Sequence, residues 1–202
     1  VPKTIDDLRA LISIAHDSEI CLTGRGGGTS QNGQTINRSL IIDYSKYLNQ
    51  LVHLDGNQKR CVVQPGIVLD HLNAKLRSTD LWYPVDVSTS SRATLGGMTG
   101  NNSCGSRSIR YGTMRDNVES VRALLADGST AHWRELSVED QQRSQAELET
   151  RTDLLGRLLY LGASNQSLIE SRLPQLMRRV GGYNIDALIP DGNGGSGCWP
   201  GT

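Results

Sequence analysis

Residues 19–34 of this chain read EICLTGRGGGTSQNGQ, an apolar segment that ends in a run of glycines. We predict a strand over 19–23 and a loop from Gly24, because the apolar residues stop where the glycines begin. Glycine lets successive backbone N–H groups converge on an anion with no side chains in the way. Arg25 adds positive charge, and Thr29 and Ser30 add hydroxyl donors. The segment therefore predicts a loop that binds a phosphate or diphosphate.

The two best-known phosphate loops do not match this segment. A P-loop has a Lys directly after its last glycine, and no Lys follows these glycines. A Rossmann loop opens into a helix, but residues 31–38 read QNGQTINR and show no apolar periodicity. We therefore expect no helix N-terminus to hold the phosphate.

A second loop, at 84–112, reads PVDVSTSSRATLGGMTGNNSCGSRSIRYG and is rich in Gly, Ser, Thr and Asn. Its stretch 94–98 resembles a tight turn into a short helix, and the remainder shows little regular pattern. Loops of this length in a compact chain are usually functional or disordered. Two glycine-rich loops can enclose an extended ligand from both sides, and a dinucleotide has that shape. Composition and spacing thus predict a phosphate-bearing ligand between two lobes.

The rest of the chain alternates helical and extended patterns, which predicts an α+β fold. A capping-box pattern at Thr4 and Asp7 marks the start of the first helix. The predicted elements are a helix at 4–16, strands at 40–43, 51–54 and 60–64, a helix at 67–78, a hairpin at 118–133 and a helical, polar stretch at about 137–180.

The overall composition excludes several classes of protein. The chain has 202 residues, 22 of them glycine and none phenylalanine, so its core must rest on Leu, Ile and Val. Lys and Arg number 21 and so do Asp and Glu, a balance that argues against a general polyanion binder. The four cysteines show no zinc-ligand spacing, so we predict no metal site, and we expect Cys21 and Cys61 to be buried free thiols.

Several segments, in order along the chain, resemble the FAD-linked oxidases of the vanillyl-alcohol oxidase type. They are RGGGTSQNGQ at 25–34, QPG at 64–66, LN at 72–73, YP at 83–84, RATLGGM at 92–98, RYG at 110–112, DNV at 116–118 and ADG at 126–128. Within that family the chain is most similar to the D-2-hydroxy-acid dehydrogenases, which act on D-lactate, D-2-hydroxyglutarate or glycolate. The likeness is dense over about 1–130 and weaker beyond.

This resemblance implies a two-lobed FAD-binding domain of the PCMH type, with FAD between the lobes. We expect that domain at 1–135, with lobes of about 1–55 and 56–135. A helical continuation would follow at 136–190 and an irregular tail at 191–202.

The resemblance also implies which residues bind FAD. The diphosphate would be held by Arg25, Gly26, Gly27, Gly28, Thr29, Ser30, Gly33 and Gln34. The ribityl and isoalloxazine side would be lined by Pro84, Asp86, Ser88, Thr94, Gly96, Gly97, Asn101, Ser103 and Gly105, with Tyr111 and Gly112 closing the loop. Relatives that tether FAD through His carry it where this chain has Thr29, and 84–100 contains no Cys for the other known tether. We therefore predict non-covalent FAD.

The implied activity is that of a flavin-dependent oxidoreductase, which oxidises a D-2-hydroxy acid to the 2-oxo acid and passes the electrons to an acceptor. The resemblance allows an iron–sulfur domain or subunit as a partner, and it implies the cytoplasm, or the periphery of the inner membrane, as the location. No apolar run approaches the ~20 residues of a membrane span, and we expect no nucleic-acid partner.

Two other interpretations stay open at this stage. The chain could be a reductase of the same fold, similar to UDP-N-acetylenolpyruvoylglucosamine reductase, or a non-catalytic nucleotide-binding module. Family members continue past the GYNID segment at 182–186 into a GSEG-containing segment and a substrate-binding cap domain. Residues 191–202 read DGNGGSGCWPGT and do not resemble that continuation. We therefore expect a truncated chain without the cap, in which the catalytic residues are unknown.

Overall fold

The computed structural model describes residues 1–137, 153–174 and 183–189. The chain divides into two compact units, one formed by Val1–Asn117 with Leu124–Thr130 and the other by Val118–Ala123 with Ala131–Thr202. Parts of the helical stretch predicted at 137–180, Gly182 of the GYNID segment and the tail predicted at 191–202 lie outside the described residues.

The first unit begins with helix α1, Ile5–Asp17, which starts at the predicted capping box. The Thr4 hydroxyl accepts a hydrogen bond from the Asp7 backbone N–H at 3.1 Å, and the Asp7 carboxylate accepts one from the Thr4 backbone N–H at 3.0 Å. At the other end Glu19 has a φ of 53°, and the Ile20 N–H donates to the Ala15 carbonyl. Residues 19 and 20 thus belong to the helix end, so the strand predicted at 19–23 starts later than expected.

Strand β1, Leu22–Arg25, pairs in parallel with strand β2, Leu40–Asp43. The register sets Leu22 opposite Leu40 and Arg25 opposite Asp43. A parallel pair needs a crossover connection of about a dozen or more residues, usually a helix. Here the crossover is the first glycine loop and the polar segment after it. The loop therefore starts at the carboxyl end of β1.

Strands β3, Leu51–Asp55, and β4, Arg60–Val63, form the predicted antiparallel hairpin. Its turn is stabilised by the Asp55 carboxylate, which accepts from the backbone N–H groups of Asn57 and Gln58, both at 3.0 Å. The next helix, α2, spans Leu69–Leu76 and continues into a 3-10 turn at Arg77–Thr79.

The second loop contains more helix than its sequence predicts. The short helix expected after Thr94 is present as α3, Leu95–Gly100, and two further turns follow as α4, Ser108–Tyr111, and α5, Met114–Asn117. Polar side chains hold these turns in place: the Asn102 amide oxygen accepts from the Arg115 N–H at 3.0 Å, and the Asn117 amide donates to the Tyr111 carbonyl at 2.8 Å. Such side-chain contacts are not visible as periodicity.

The core of the first unit packs α2 and the glycine-rich segments around a few aliphatic side chains. Ile67 and Val85 have no exposed surface. The other fully buried side chains of the unit are Leu48, Leu69, Leu72 and Met114. Cys61 is half-buried and free, whereas Cys21 is exposed, because it lies ahead of β1 rather than inside a strand. The expectation of a buried Cys21 thiol is therefore wrong.

The second unit takes in most of a two-stranded sheet and three short helices. The sheet pairs β5, Ser120–Leu124, with β6, Thr130–Arg134, which is the predicted hairpin. The helices span Leu154–Ser164, Gln166–Arg172 and, as a 3-10 turn, Ile185–Leu188. A Cβ on Gly162 would lie 2.4 Å from the Leu188 carbonyl oxygen, so glycine allows the first and last of them to touch.

In the ranges that the structure describes, none of the helices is both long and apolar enough to span a bilayer.

Gly66 allows the backbone of 64–67 to approach the segment after β2. A Cβ at this position would lie 2.1 Å from the Tyr44 carbonyl oxygen, which is a backbone atom. We expect Gly66→Ala to lower the free energy of unfolding by about 1–3 kcal/mol, the usual cost of overpacking. Gly56→Ala is the matched control, because no atom lies within 4 Å of its Cβ position. Chemical denaturation of both variants checks this, and equal stabilities would contradict the packing described for Gly66.

Candidate functional site

The two glycine loops predicted to enclose a ligand touch each other directly. A Cβ on Gly26 would lie 1.9 Å from the Thr94 hydroxyl oxygen, and a Cβ on Gly27 would lie 2.1 Å from the Arg92 carbonyl oxygen. Both distances are far below van der Waals contact, so no other residue fits at either position without moving the loops apart. The structure thereby brings together the first loop and the middle of the second.

The first loop presents backbone donors that have no partner within the described part of the chain. The N–H groups of Gly26, Gly27 and Gly28 donate no hydrogen bond to any described residue. Gly28 has a φ of 63°, the left-handed conformation that turns successive amides toward one point. The Cβ position of Gly28 lies 2.7 Å from a guanidinium nitrogen of Arg25, so a full positive charge lies against the same turn. Amides and guanidinium together form a site for an anion.

Thr94 contributes a buried hydroxyl to the junction of the loops. The residue is 2% exposed, and its Oγ1 has no hydrogen-bond partner among the residues that the structure describes. A buried polar group without a partner costs about 1–3 kcal/mol, so native proteins seldom keep one without a reason. The Cβ position of Gly97 lies 3.2 Å from the same oxygen. A ligand group that reaches this oxygen would remove the cost.

The end of β2 places a negative charge next to the first loop. Asp43 lies opposite Arg25 in the parallel register. Burial acts to raise the pKa of Asp43, but hydrogen bonds from Ser45 and the charge of Arg25 outweigh it and keep the pKa below its ordinary value. The aspartate is therefore ionised at neutral pH and holds a negative charge near the guanidinium.

Tyr44 is a site neighbour that the sequence pattern did not reveal. Its ring lies 3.3 Å from the Cβ position of Gly24, and its N–H donates to the Arg25 carbonyl at 3.0 Å. Burial raises the pKa of Tyr44, so the phenol stays neutral and able to donate. The signal that could have found it is the parallel register, which sets the residue after β2 beside the end of β1.

The second loop rests on the segment between β4 and α2. The Gly96 N–H donates to the Pro65 carbonyl at 2.8 Å, and a Cβ on Gly96 would lie 2.6 Å from the Pro65 side chain. Further along, the Ser103 N–H donates to the Met98 carbonyl at 2.9 Å, and the Ser103 carbonyl accepts from the Met114 N–H at 3.0 Å. Gly96 and Ser103 thus have backbone roles in shaping this loop.

The remaining predicted residues fall into smaller groups. Asp86 meets Gly105 and its neighbours, and Tyr111 stacks edge-on against Trp82 at a centroid distance of 5.3 Å. Gly112 has a φ of 79° and lies against the Asp116 side chain.

In the first loop the Ser30 hydroxyl accepts from the Gln34 amide, and the Thr29 methyl packs near Gly27. Gly33 has a φ of 80° and open space around it, and Asn101 ends helix α3. Pro84 is half-buried and Ser88 exposed. A flavin role for these individual residues stays a prediction.

This arrangement is that of an FAD-binding domain, and the chain belongs to that family. The family described as FAD binding domain matches residues 1–134. The predictions of an α+β fold of the PCMH type and of FAD as the cofactor are thereby confirmed.

Proteins similar in sequence to the chain include D-2-hydroxyglutarate and D-lactate dehydrogenases. It is 30% identical over 193 residues to the D-2-hydroxyglutarate dehydrogenase of Pantoea ananatis, a match that covers 94% of this chain and 19% of that protein. It is 33% identical over 132 residues to the probable mitochondrial D-lactate dehydrogenase of Danio rerio, covering 65% of this chain and 26% of that protein. The chain therefore spans about a fifth of the first of these relatives. The predicted resemblance to the D-2-hydroxy-acid dehydrogenases is confirmed.

Solved structures show the same fold. Alkyldihydroxyacetonephosphate synthase superposes with a TM-score of 0.59 at 24% sequence identity, over 66% of this chain and 27% of that one. At this identity the likeness concerns the fold alone.

The residues present at the junction of the loops fit FAD. The free amides of Gly26–Gly28 and the Arg25 guanidinium match a diphosphate in charge and hydrogen-bonding type. The buried Thr94 hydroxyl lacks a partner that a bound dinucleotide can supply.

Thr94→Val gives a test with two effects of opposite sign. Valine fills the same volume without the hydroxyl, so we expect the free protein to gain about 1 kcal/mol in stability, because a buried unpaired group is removed. The same variant should bind FAD about tenfold more weakly, because one hydrogen bond of about 1.4 kcal/mol is lost. Thermal unfolding of the free protein and FAD titration by fluorescence quenching measure the two effects. Unchanged affinity would contradict a contact between this hydroxyl and FAD.

Proposed function

We propose that this chain is the FAD-binding part of an oxidoreductase that oxidises a D-2-hydroxy acid to the 2-oxo acid. The observation that carries the proposal is the junction of the two glycine loops, which holds three amides and a buried hydroxyl without partners among the described residues, and a guanidinium. The proposed class of substrate is supported by the relatives, which are named as dehydrogenases of D-2-hydroxyglutarate and D-lactate. The conversion is a two-electron oxidation at the carbon that bears the hydroxyl.

The chain's own contribution is binding and positioning. Arg25 and the amides of Gly26–Gly28 would hold the diphosphate, and the Thr94 hydroxyl would form one hydrogen bond with FAD. Because Thr94 is 2% exposed, this contact is shielded from water and is worth more than a surface contact. FAD, when bound, supplies the acceptor for the two electrons of the substrate.

Substrate binding and proton removal need further groups, which we place in the part of the relatives that this chain does not match. The same proposal includes an electron acceptor of unidentified chemistry, and an iron–sulfur domain or subunit as a partner. It also includes a location in the cytoplasm or at the inner membrane. They are supported by the likeness to the D-2-hydroxy-acid dehydrogenases.

We propose that the FAD is bound without a covalent link. Thr29, which occupies the position of the His tether in some relatives, offers no nitrogen for attachment. Cys104 is half-buried and free, and it lies past the segment 84–100 in which a Cys tether would be expected.

Acid precipitation tests the non-covalent link. We expect all of the flavin to appear in the supernatant when the FAD-loaded protein is precipitated with acid, because no covalent bond would hold the flavin to the unfolded chain. Absorbance at the flavin band in supernatant and pellet gives the result. Flavin retained by the washed pellet would contradict the proposal, and Cys104→Ala would then show whether that thiol is the attachment point.

An activity assay separates the proposed function from the two alternatives. We expect the whole protein, loaded with FAD, to reduce an artificial dye with D-lactate or D-2-hydroxyglutarate and not with the L-isomers. A reductase of the UDP-N-acetylenolpyruvoylglucosamine type would instead oxidise NADPH. Failure of purified protein to take up FAD would favour a module with another ligand. Stopped absorbance assays with each donor, run side by side, decide among the three.

A further inference from the structure

Asp86 lies near the start of the second glycine loop and accepts hydrogen bonds from residues about 20 positions further along it. One carboxylate oxygen accepts a hydrogen bond from the Ser106 hydroxyl at 2.7 Å, and the other accepts from the Arg107 backbone N–H at 3.0 Å. The main chain approaches as closely, because a Cβ on Gly105 would lie 1.6 Å from the Asp86 carbonyl oxygen. Side chain and backbone of one residue thus hold three consecutive residues of the loop.

The neighbours of Asp86 strengthen this attachment. The Arg107 guanidinium lies over the Trp82 ring at 5.1 Å, so the same loop residue is held on the 82–86 segment a second time. That segment is itself anchored: Val85 has no exposed surface, and the Tyr83 N–H donates to the Asn73 side chain of α2 at 2.7 Å. The loop is therefore fixed to a segment that packs on the core.

The ionisation state of the Asp86 carboxylate follows from its hydrogen bonds to the loop. The Ser106 hydroxyl and the Arg107 N–H lower the pKa of Asp86 in spite of its partial burial. The group is thus a carboxylate at neutral pH, which can only accept hydrogen bonds. Both of its oxygens already accept hydrogen bonds from the loop.

We propose that Asp86 is a positioning residue, which locks 105–107 in place and so fixes the shape of the second glycine loop that receives FAD, without contacting the flavin. This inference rests on the proposed FAD function and changes the role of Asp86 from a cofactor contact to a support. FAD affinity then depends on the carboxylate through the loop alone.

Three variants test the inference. Asp86→Ala removes both acceptors. Asp86→Asn keeps one amide oxygen for the Arg107 N–H and offers an N–H to the Ser106 oxygen, so it should largely rescue the loop. Asp127→Ala is the matched control, because Asp127 also accepts from a serine hydroxyl and a backbone N–H, at 2.6 and 2.9 Å, in a distant hairpin turn.

We expect Asp86→Ala to weaken FAD binding by about tenfold or more, and Asp86→Asn by less than about threefold. Asp127→Ala should lower thermal stability by a similar amount to Asp86→Ala and leave FAD affinity unchanged. In the FAD-free protein, hydrogen exchange should show the Arg107 amide protected in the wild type and exposed in Asp86→Ala. The visible circular dichroism of bound FAD should change in Asp86→Ala and keep its wild-type shape in Asp127→Ala.

Two results would overturn the inference. One is equal exchange of the Arg107 amide in the wild type and Asp86→Ala, which would show that the carboxylate does not hold the loop. The other concerns FAD affinity. If the affinity is unchanged in Asp86→Ala, or falls equally in Asp86→Ala and Asp127→Ala, the held loop does not affect FAD binding. A wild-type chain that binds no FAD would overturn the proposed function, and the exchange result would still decide whether Asp86 holds the loop.

Discussion

The backbone of Gly26 and Gly27 lies against the Thr94 side chain and the Arg92 carbonyl at distances that leave no room for a Cβ. The rest of the first unit depends on this contact. It fixes the end of β1 relative to the second loop. Gly66 and Gly96 make similarly close contacts, with Tyr44 and Pro65 respectively. Four glycines thus allow segments that are distant in sequence to approach more closely than a Cβ would permit. The site is a consequence of that close approach, because the glycines present backbone amides beside the side chains of Arg25 and Thr94.

The junction is stabilised less completely than the core beneath it. Helix α2 and the residues around Ile67 bury apolar side chains fully. The donors above them have no partner among the described residues, and Thr94 carries the cost of a buried unpaired hydroxyl. Proteins are stable by only about 5–15 kcal/mol, so a cost of this size is a sizeable fraction. Affinity for the cofactor and reduced stability of the free protein have the same origin.

Local chemistry decided how much could be predicted. The capping box of α1, strand β2, the β3–β4 hairpin and the short helix after Thr94 each depend on neighbouring residues, and all were predicted from the sequence. The predicted start of β1 at residue 19 was wrong, because Glu19 takes a left-handed conformation that completes α1. Tyr44 and the bonds of Asp86 were missed because they join residues about 20 apart, as with Tyr44 and Gly24 or Asp86 and Ser106. Glycine clusters predicted where the loops are, but not that Gly26 and Gly27 serve the contact between them or that Gly96 packs on Pro65.

The direct contact between the loops also limits how such a site can diverge. At positions 26 and 27 a side chain of any size meets the Thr94 hydroxyl or the Arg92 carbonyl, so only glycine fits the contact between the loops. Gly56 and Gly100 have open space around them and no positive φ, so sterics do not require glycine there, whereas Gly33 has open space but a φ of 80°. Adaptation of this site to a different redox task must therefore proceed through the residues that flank the glycines, and the glycines themselves remain as a fixed frame.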